Sequence, residues 1–270
     1  MVMEKTSCQF CVQMNVDSIP ALKASKIRLL EALQHEDADI DCLSDAISTD
    51  PAMTAKIIRL ANSPFYRHAR QHFGLHQSLL TIGMDMVKCI ALSMAVMDSL
   101  GCEIKYARSL WTHSYATALI ALSLSSDHVE KDRLFTGALL HDLGRMVFLS
   151  KAPEAYSSLF EFEGYWPDMS LENDVFAIDH TVLGETVARA WHFPEETIEV
   201  IRNHHKPASR TSALVYLINH VINQYEKGDQ SATSPGNRLI HSYLGDMYKD
   251  LVNLIIQRYK INAVIIENLF

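Results

Sequence analysis

The residues best suited to chemistry in this chain are a set of histidines and one aspartate. His141 and Asp142 are neighbours inside the apolar run Gly137-Ala138-Leu139-Leu140-His141-Asp142-Leu143-Gly144-Arg145. A carboxylate in such a run is costly unless it is paired or bound to a cation. His113 lies mid-segment in Leu110-Trp111-Thr112-His113-Ser114-Tyr115-Ala116, His180 opens His180-Thr181-Val182-Leu183-Gly184, and His204-His205 closes a further segment. Imidazole nitrogen and carboxylate oxygen together suit a divalent transition metal: Fe, Mn, Zn, Co or Ni. Neighbouring side chains on a helix point about 100° apart, from 3.6 residues per turn. His141 and Asp142 can still share one cation, or two close ones with the carboxylate bridging. Gly184, one turn after His180, removes bulk where a helix or ligand must approach.

Each member also has a plainer reading. His113 alone reads as a satisfied core histidine. His204-His205 alone reads as a helix C-terminal pair favoured by the dipole, and His141-Asp142 as a local hydrogen-bonded pair. Four helical segments contributing inward imidazoles and a carboxylate are how bundle cores build metal sites. The set His113, His141, Asp142, His180, His204 and His205 is therefore expected to bind metal. His35, His68, His72, His76, His128, His192 and His241 read as surface or structural. Five cysteines are scattered along the chain, and Cys8 and Cys11 form a C-x-x-C pair. No second pair of similar spacing follows, so these read as reduced thiols rather than a zinc knuckle or a disulfide framework.

The elements that must position these residues are helices. Apolar positions recur at helical spacing throughout, and no alternating strand pattern appears. Helices are expected over Asp39–Ser48 and from the cap Asp50-Pro51 to Asn62-Ser63-Pro64, with Met53, Ile57 and Leu60 on one face. Leu75–Leu100 reads as one helix or two broken near Gly83. Further helices are expected over Tyr106–Ser125, over Asp132–Ser150 with Asp132 as cap, and over Pro153–Phe162. The pattern continues with Ser170–Trp191 (capped by Ser170), Pro194–His204 and Thr211–Tyr225, then a loop at 227–237 and one or two closing helices over Leu239–Asn268. The sparse stretch Leu100–Lys105 suggests a division into 1–104 and 105–270.

The 270 residues are 48% hydrophobic and 21% charged, ordinary for a globular protein, and carry a formal net charge of -8. An acidic surface repels a phosphate backbone, so nucleic acid is not the expected partner. No run of 18 or more apolar residues occurs, and Glu4 and Lys5 interrupt the place where a signal sequence would begin. A cytoplasmic protein with no membrane partner is expected.

Three strings carry a family resemblance. They are Asp50-Pro51-Ala52-Met53-Thr54, Arg59-Leu60-Ala61-Asn62-Ser63-Pro64-Phe65-Tyr66, and Leu79-Leu80-Thr81-Ile82-Gly83, preceded by Ile19-Pro20-Ala21-Leu22. With the histidines in their order, they resemble the HDOD domain, a branch of the HD superfamily of metal-dependent phosphohydrolases, over roughly Asp17 to Tyr225. The resemblance implies an all-α fold, an N-terminal helical bundle packed on an HD-like helical bundle, and a role in bacterial signalling or regulation. Many HDOD members lack the metal ligands, whereas this chain keeps a set similar to that of the related HD-GYP phosphodiesterases. His113 matches the first histidine, His141 and Asp142 the HD pair, His180 with Gly184 the H-x-x-x-G element, and His204 and His205 the paired histidines. It departs at Lys206-Pro207-Ala208, where no Gly-Tyr-Pro follows, and at Asn219, near the place of the last metal-ligating aspartate. For a catalytic member the resemblance implies metal-assisted hydrolysis, in which the cation lowers the pKa of bound water and clamps a phosphoryl oxygen. His141, Asp142 and Arg145 would then be the catalytic group, with Arg145 or Lys206 holding phosphate; the alternative for either cation is a solvated surface charge.

Three functions fit. The first is a signalling module with a retained metal pocket, acting with a signalling protein or a small phosphorylated ligand. The second is an active phosphohydrolase on a nucleotide or cyclic dinucleotide, and the third a metal-free interaction scaffold.

Overall fold

The computed structural model describes residues 39–63, 66, 74–101, 105–124, 128–163, 166–228 and 238–269. Cys8, Cys11, the Ile19–Leu22 string, His35, His68, His72 and the 227–237 loop beyond Gly228 lie outside them. All elements among the described residues are helical. The N-terminal group is α1 (Ile40–Ser48), α2 (Pro51–Ala61), α3 (Leu75–Ile82) and α4 (Met84–Leu100). The second group is α5 (Lys105–Leu122), α6 (His128–Leu140), α7 (Leu143–Lys151), α8 (Pro153–Glu163), α9 (Met169–Phe176), α10 (His180–Ala190), α11 (Glu195–Asn203) and α12 (Arg210–Glu226). Then come α13 (Arg238–Leu244), a 3-10 turn at Gly245–Met247, and α14 (Tyr248–Leu269).

Local sequence explains the starts and stops. Asp39 accepts from the Cys42 amide, and Asp50 accepts from the amides of Ala52 and Met53 ahead of Pro51. Gly83, at φ 87°, separates α3 from α4, and Gly101, at φ 65°, ends α4 in the left-handed region that suits glycine. Leu43, Ile47, Met53, Ile57 and Leu60 are buried, as their spacing predicts. One cluster of buried apolar residues runs from Leu43 to Ile255 and includes both groups of helices. Among the described residues, no single helix is long and apolar enough to cross a membrane.

Two expected helices are each two. Asp132–Ser150 is broken by a turn at His141-Asp142, and the helix before it starts at His128, so Asp132 is not its cap. Ser170–Trp191 is broken at Ala177-Ile178-Asp179, with Ala177 at φ 56°. Asp168 caps the first part through the Leu171 amide, and Asp179 caps the second through the amides of Thr181 and Val182. Neither break contains Gly or Pro, the usual punctuation, and continuous apolar periodicity hid both.

Two glycines let the helices approach closely. A Cβ on Gly144 would stand 2.0 Å from the His180 carbonyl oxygen, and one on Gly184 would stand 2.8 Å from Ile201 Cγ2 and 3.0 Å from the Gly144 nitrogen. The backbones of α7 and α10 meet there, which places the start of α10 against the His141-Asp142 turn.

Candidate metal centre

His141 and His204 each stand just past the end of a helix and use one ring nitrogen locally. His141 Nδ1 donates to the Ala138 carbonyl at 2.7 Å, and His204 Nδ1 donates to the Ile201 carbonyl at 2.9 Å. A neutral imidazole carries one N–H, so each Nε2 is left as a lone pair. His180 is treated the same way by a carboxylate: its Nδ1 lies 2.6 Å from Glu172 Oε2, and its amide donates to the same oxygen at 2.8 Å. All three Nε2 atoms converge on Asp142. His141 Nε2 is 3.3 Å from Asp142 Oδ2, His180 Nε2 is 3.5 Å from Oδ1, and His204 Nε2 is 3.6 Å from Oδ1. His180 Nε2 also faces His204 Nε2 at 3.3 Å and His205 Nε2 at 3.0 Å.

The six expected residues form two overlapping groups that share Asp142. One is Asp142, His180, His204 and His205, and the other is His113, His141 and Asp142, with the ligand atoms of each group within 4.8 Å of one another. His113, His141, Asp142, His180 and His204 are buried, and His205 is part-buried at the rim.

The donors fit a cation. His141 Nε2 is buried and makes no hydrogen bond. Lone pairs of His180 and His204 facing each other at 3.3 Å repel unless a positive charge sits between them. Bonds of about 2.0–2.1 Å to one tetrahedral cation put neighbouring ligand atoms roughly 3.3 Å apart. Two buried carboxyl groups, Asp142 and Glu172, face one buried guanidinium, Arg145, and burial raises Glu172 above the usual carboxylate range. Burial disfavours ionising Asp142, yet His141 and Arg145 hold its carboxyl well below the usual range. Burial and, for His180, the Arg145 charge push His180 well below the ordinary imidazole value, and burial likewise lowers His204 and His205. Metal ligation requires these neutral imidazoles.

Arg145 is not a solvated charge. It is 5% exposed. Its Nε donates to Asp142 Oδ1 at 3.0 Å, and its Nη1 lies within hydrogen-bonding distance of Tyr156 Oη (3.0 Å), the Pro167 carbonyl (2.8 Å) and Glu172 Oε1 (3.1 Å). Through its Nε, Arg145 holds the Asp142 carboxylate in place. Lys206 is exposed beside His205.

Asn219 sits at the His113 end. Its Oδ1 accepts from Asn223 Nδ2 at 2.6 Å and lies 3.0 Å from His113 Nε2. His76 and His241, read as surface residues, pair with Asp41 and Asp246 there. The sequence reading missed Glu172, Tyr156 and Glu226. Glu172 is fully buried and takes a further bond from Tyr156 Oη at 2.6 Å. It stands in the first turn of a helix, where any acidic residue reads as a dipole complement. Tyr156 reads as one more apolar position of α8.

The HDOD domain family model matches residues 19–207. An uncharacterised protein of Treponema pallidum (strain Nichols) is 25% identical over 195 residues, 70% of this chain and 38% of that protein. The chain thus spans well under two thirds of that relative's length. Three solved structures share the fold. A candidate phosphohydrolase of Shewanella amazonensis SB2B has a TM-score of 0.72 at 18% identity, covering 94% of this chain and 96% of that one. An HDOD domain protein of unknown function from Geobacter sulfurreducens has a TM-score of 0.69 at 20% identity, covering 94% of each. A candidate signal transduction protein of Marinobacter aquaeolei VT8 has a TM-score of 0.75 at 16% identity, covering 98% of this chain and 63% of that one. With a family model matched from residue 19 to residue 207 and an all-helical fold shared with these structures, the chain belongs to the HDOD family.

Proposed function

We propose that the chain is a bacterial signalling or regulatory HDOD module whose HD-type pocket holds a divalent transition metal, one of Fe, Mn, Zn, Co or Ni. His113, His141, Asp142, His180, His204 and His205 are the ligands. The observation that carries this reading is the convergence of three Nε2 lone pairs on Asp142, with His141 Nε2 buried and making no hydrogen bond. In this reading residues 1–104 are an N-terminal helical subdomain and residues 105–270 the HD-like one. The setting is cytoplasmic, and the partner is a signalling protein or a small phosphorylated ligand, not nucleic acid or a membrane.

Such a cation supplies a low-pKa water and polarises a bound oxygen. The residues here do the holding. Glu172 keeps the proton of His180 on Nδ1, the Ala138 and Ile201 carbonyls do so for His141 and His204, and Arg145 orients Asp142. Regulation is favoured over hydrolysis by two features: Arg145 has its Nε and Nη1 donors engaged, and a neutral amide, Asn219, stands beside His113. The phosphohydrolase reading keeps one support, the part-buried His205 next to exposed Lys206, where a phosphoryl group could reach the rim.

Protein purified without chelator, and retested after metal addition, is expected to carry at least about one equivalent of metal by elemental analysis. Less than about a tenth of an equivalent sinks the metal reading and leaves the metal-free scaffold. His141→Ala and Asp142→Ala are expected to lose the metal. Hydrolysis of phosphomonoesters, nucleotides or cyclic dinucleotides by the loaded protein, abolished in both variants, would establish the enzyme instead.

A further inference from the structure

His113 differs from the other ligands in how its outer nitrogen is held. Asn219 Oδ1 is an acceptor, because Asn223 Nδ2 donates to it at 2.6 Å, so the His113 Nε2 lying 3.0 Å away is the donor. The other nitrogen, Nδ1, is buried and makes no hydrogen bond. It faces Glu226 Oε2 at 3.5 Å, just beyond hydrogen-bonding reach. The other oxygen of Glu226 accepts from Tyr259 Oη of α14 at 3.0 Å. Lys260 of α14 stands over the Tyr225 ring, 5.6 Å from its centroid. Asn219, Asn223 and Glu226 recur at i, i+4 and i+7 on α12, a polar stripe running from the candidate metal centre to the C-terminal helix. α14 packs against both α5, which carries His113, and α12.

A metal that binds His113 through Nε2, the nitrogen beside Asn219, takes that lone pair. The single N–H of the neutral ring must then sit on Nδ1, and the acceptor facing it is Glu226. We infer that Glu226 is the positioning residue for His113 and that, through Tyr259, it couples occupancy of this metal position to the docking of α14. The inference rests on the metal-binding reading above and adds an output to it. Occupancy exchanges a bond to Asn219 for a bond to Glu226, and that second bond holds the carboxylate that accepts from Tyr259 of α14. The coupling is reciprocal: whatever loosens α14 weakens the metal, and the metal tightens α14.

The test is amide hydrogen exchange over Tyr248–Lys260, with and without Mn(II), alongside Mn(II) affinity. Wild type is expected to exchange severalfold more slowly in this segment when loaded. Glu226→Gln turns an amide donor toward Nδ1–H while its oxygen still accepts from Tyr259. It is expected to bind Mn(II) about 10–100-fold more weakly and to lose the metal-dependent protection, with chelator-treated exchange unchanged. A merely structural Glu226 would instead alter the chelator-treated protein. Tyr259→Phe is expected to keep the fold and to lose the protection. Wild type that binds Mn(II) with no change in α14 exchange, or Glu226→Gln that binds as tightly as wild type, overturns the coupling and leaves the metal reading standing. Wild type that takes up no metal overturns both.

Discussion

His141 and His204 meet the same requirement in the same way: each folds its Nδ1–H back onto the carbonyl three residues earlier and turns its Nε2 inward. The helix-terminal reading of His204 and the ligand reading are therefore compatible in one ring, because an imidazole has two nitrogens with separate tasks. Glu172 does for His180 what a carbonyl does for the others. Glu172→Gln is expected to leave Arg145 without one of its charge partners in a buried network, destabilising the fold by about 3–5 kcal/mol and weakening metal about 10–100-fold. Urea unfolding and a metal-competition titration check the two effects separately. Asn219→Asp places a negative oxygen beside His113 Nε2, and Mn(II) affinity is expected to rise at least about tenfold, or about 1.4 kcal/mol. An unchanged affinity would mean that position 219 does not face the cation. His113, His141, Asp142, His180, His204 and His205 were legible from residue type and spacing. Glu172 and Glu226 were not, because a carboxylate shows its role only through what it touches.

At the scale of elements, the two unexpected breaks are what bring the site together. Asp142 occupies the N-cap position of α7 but makes no capping bond, and its side chain turns to His141 and Arg145 instead. On one continuous helix the two side chains would diverge by about 100°; the turn lets both reach one cluster. The gap before α10 gives His180 the first helical position, with its amide free to meet Glu172. The glycine contact fixes the distance between these two breaks. Gly144→Ala drives a methyl into the His180 carbonyl and is expected to cost about 3 kcal/mol, read as a lowered urea midpoint with metal lost in parallel. A loss under about 1 kcal/mol would show that α7 and α10 can separate without harm. Gly184 was readable as a place of close approach. Its partner Gly144 was not, since only the crossing shows which backbone meets which.

For the whole molecule, metal is expected to contribute to stability by mass action. At about 100 times its dissociation constant, a cation binding only the folded state adds about 2.7 kcal/mol. At about 2–4 °C per kcal/mol for a chain of this size, Tm rises by about 5–10 °C. Thermal melts with added Mn(II) and with EDTA measure the rise, and His141→Ala is expected to show none. Helical class, most helix ends, the buried face of α2 and the six candidate ligands follow from sequence alone, because period, caps and residue chemistry are local properties. The sharing of Asp142 between two groups of histidines, the burial of Arg145 and the route from His113 to α14 were decided by tertiary structure. Each depends on which residues, 3 to 146 positions apart, the fold brings together, and around Asp142 and Arg145 burial makes an unpaired charge or lone pair costly enough to select its partner.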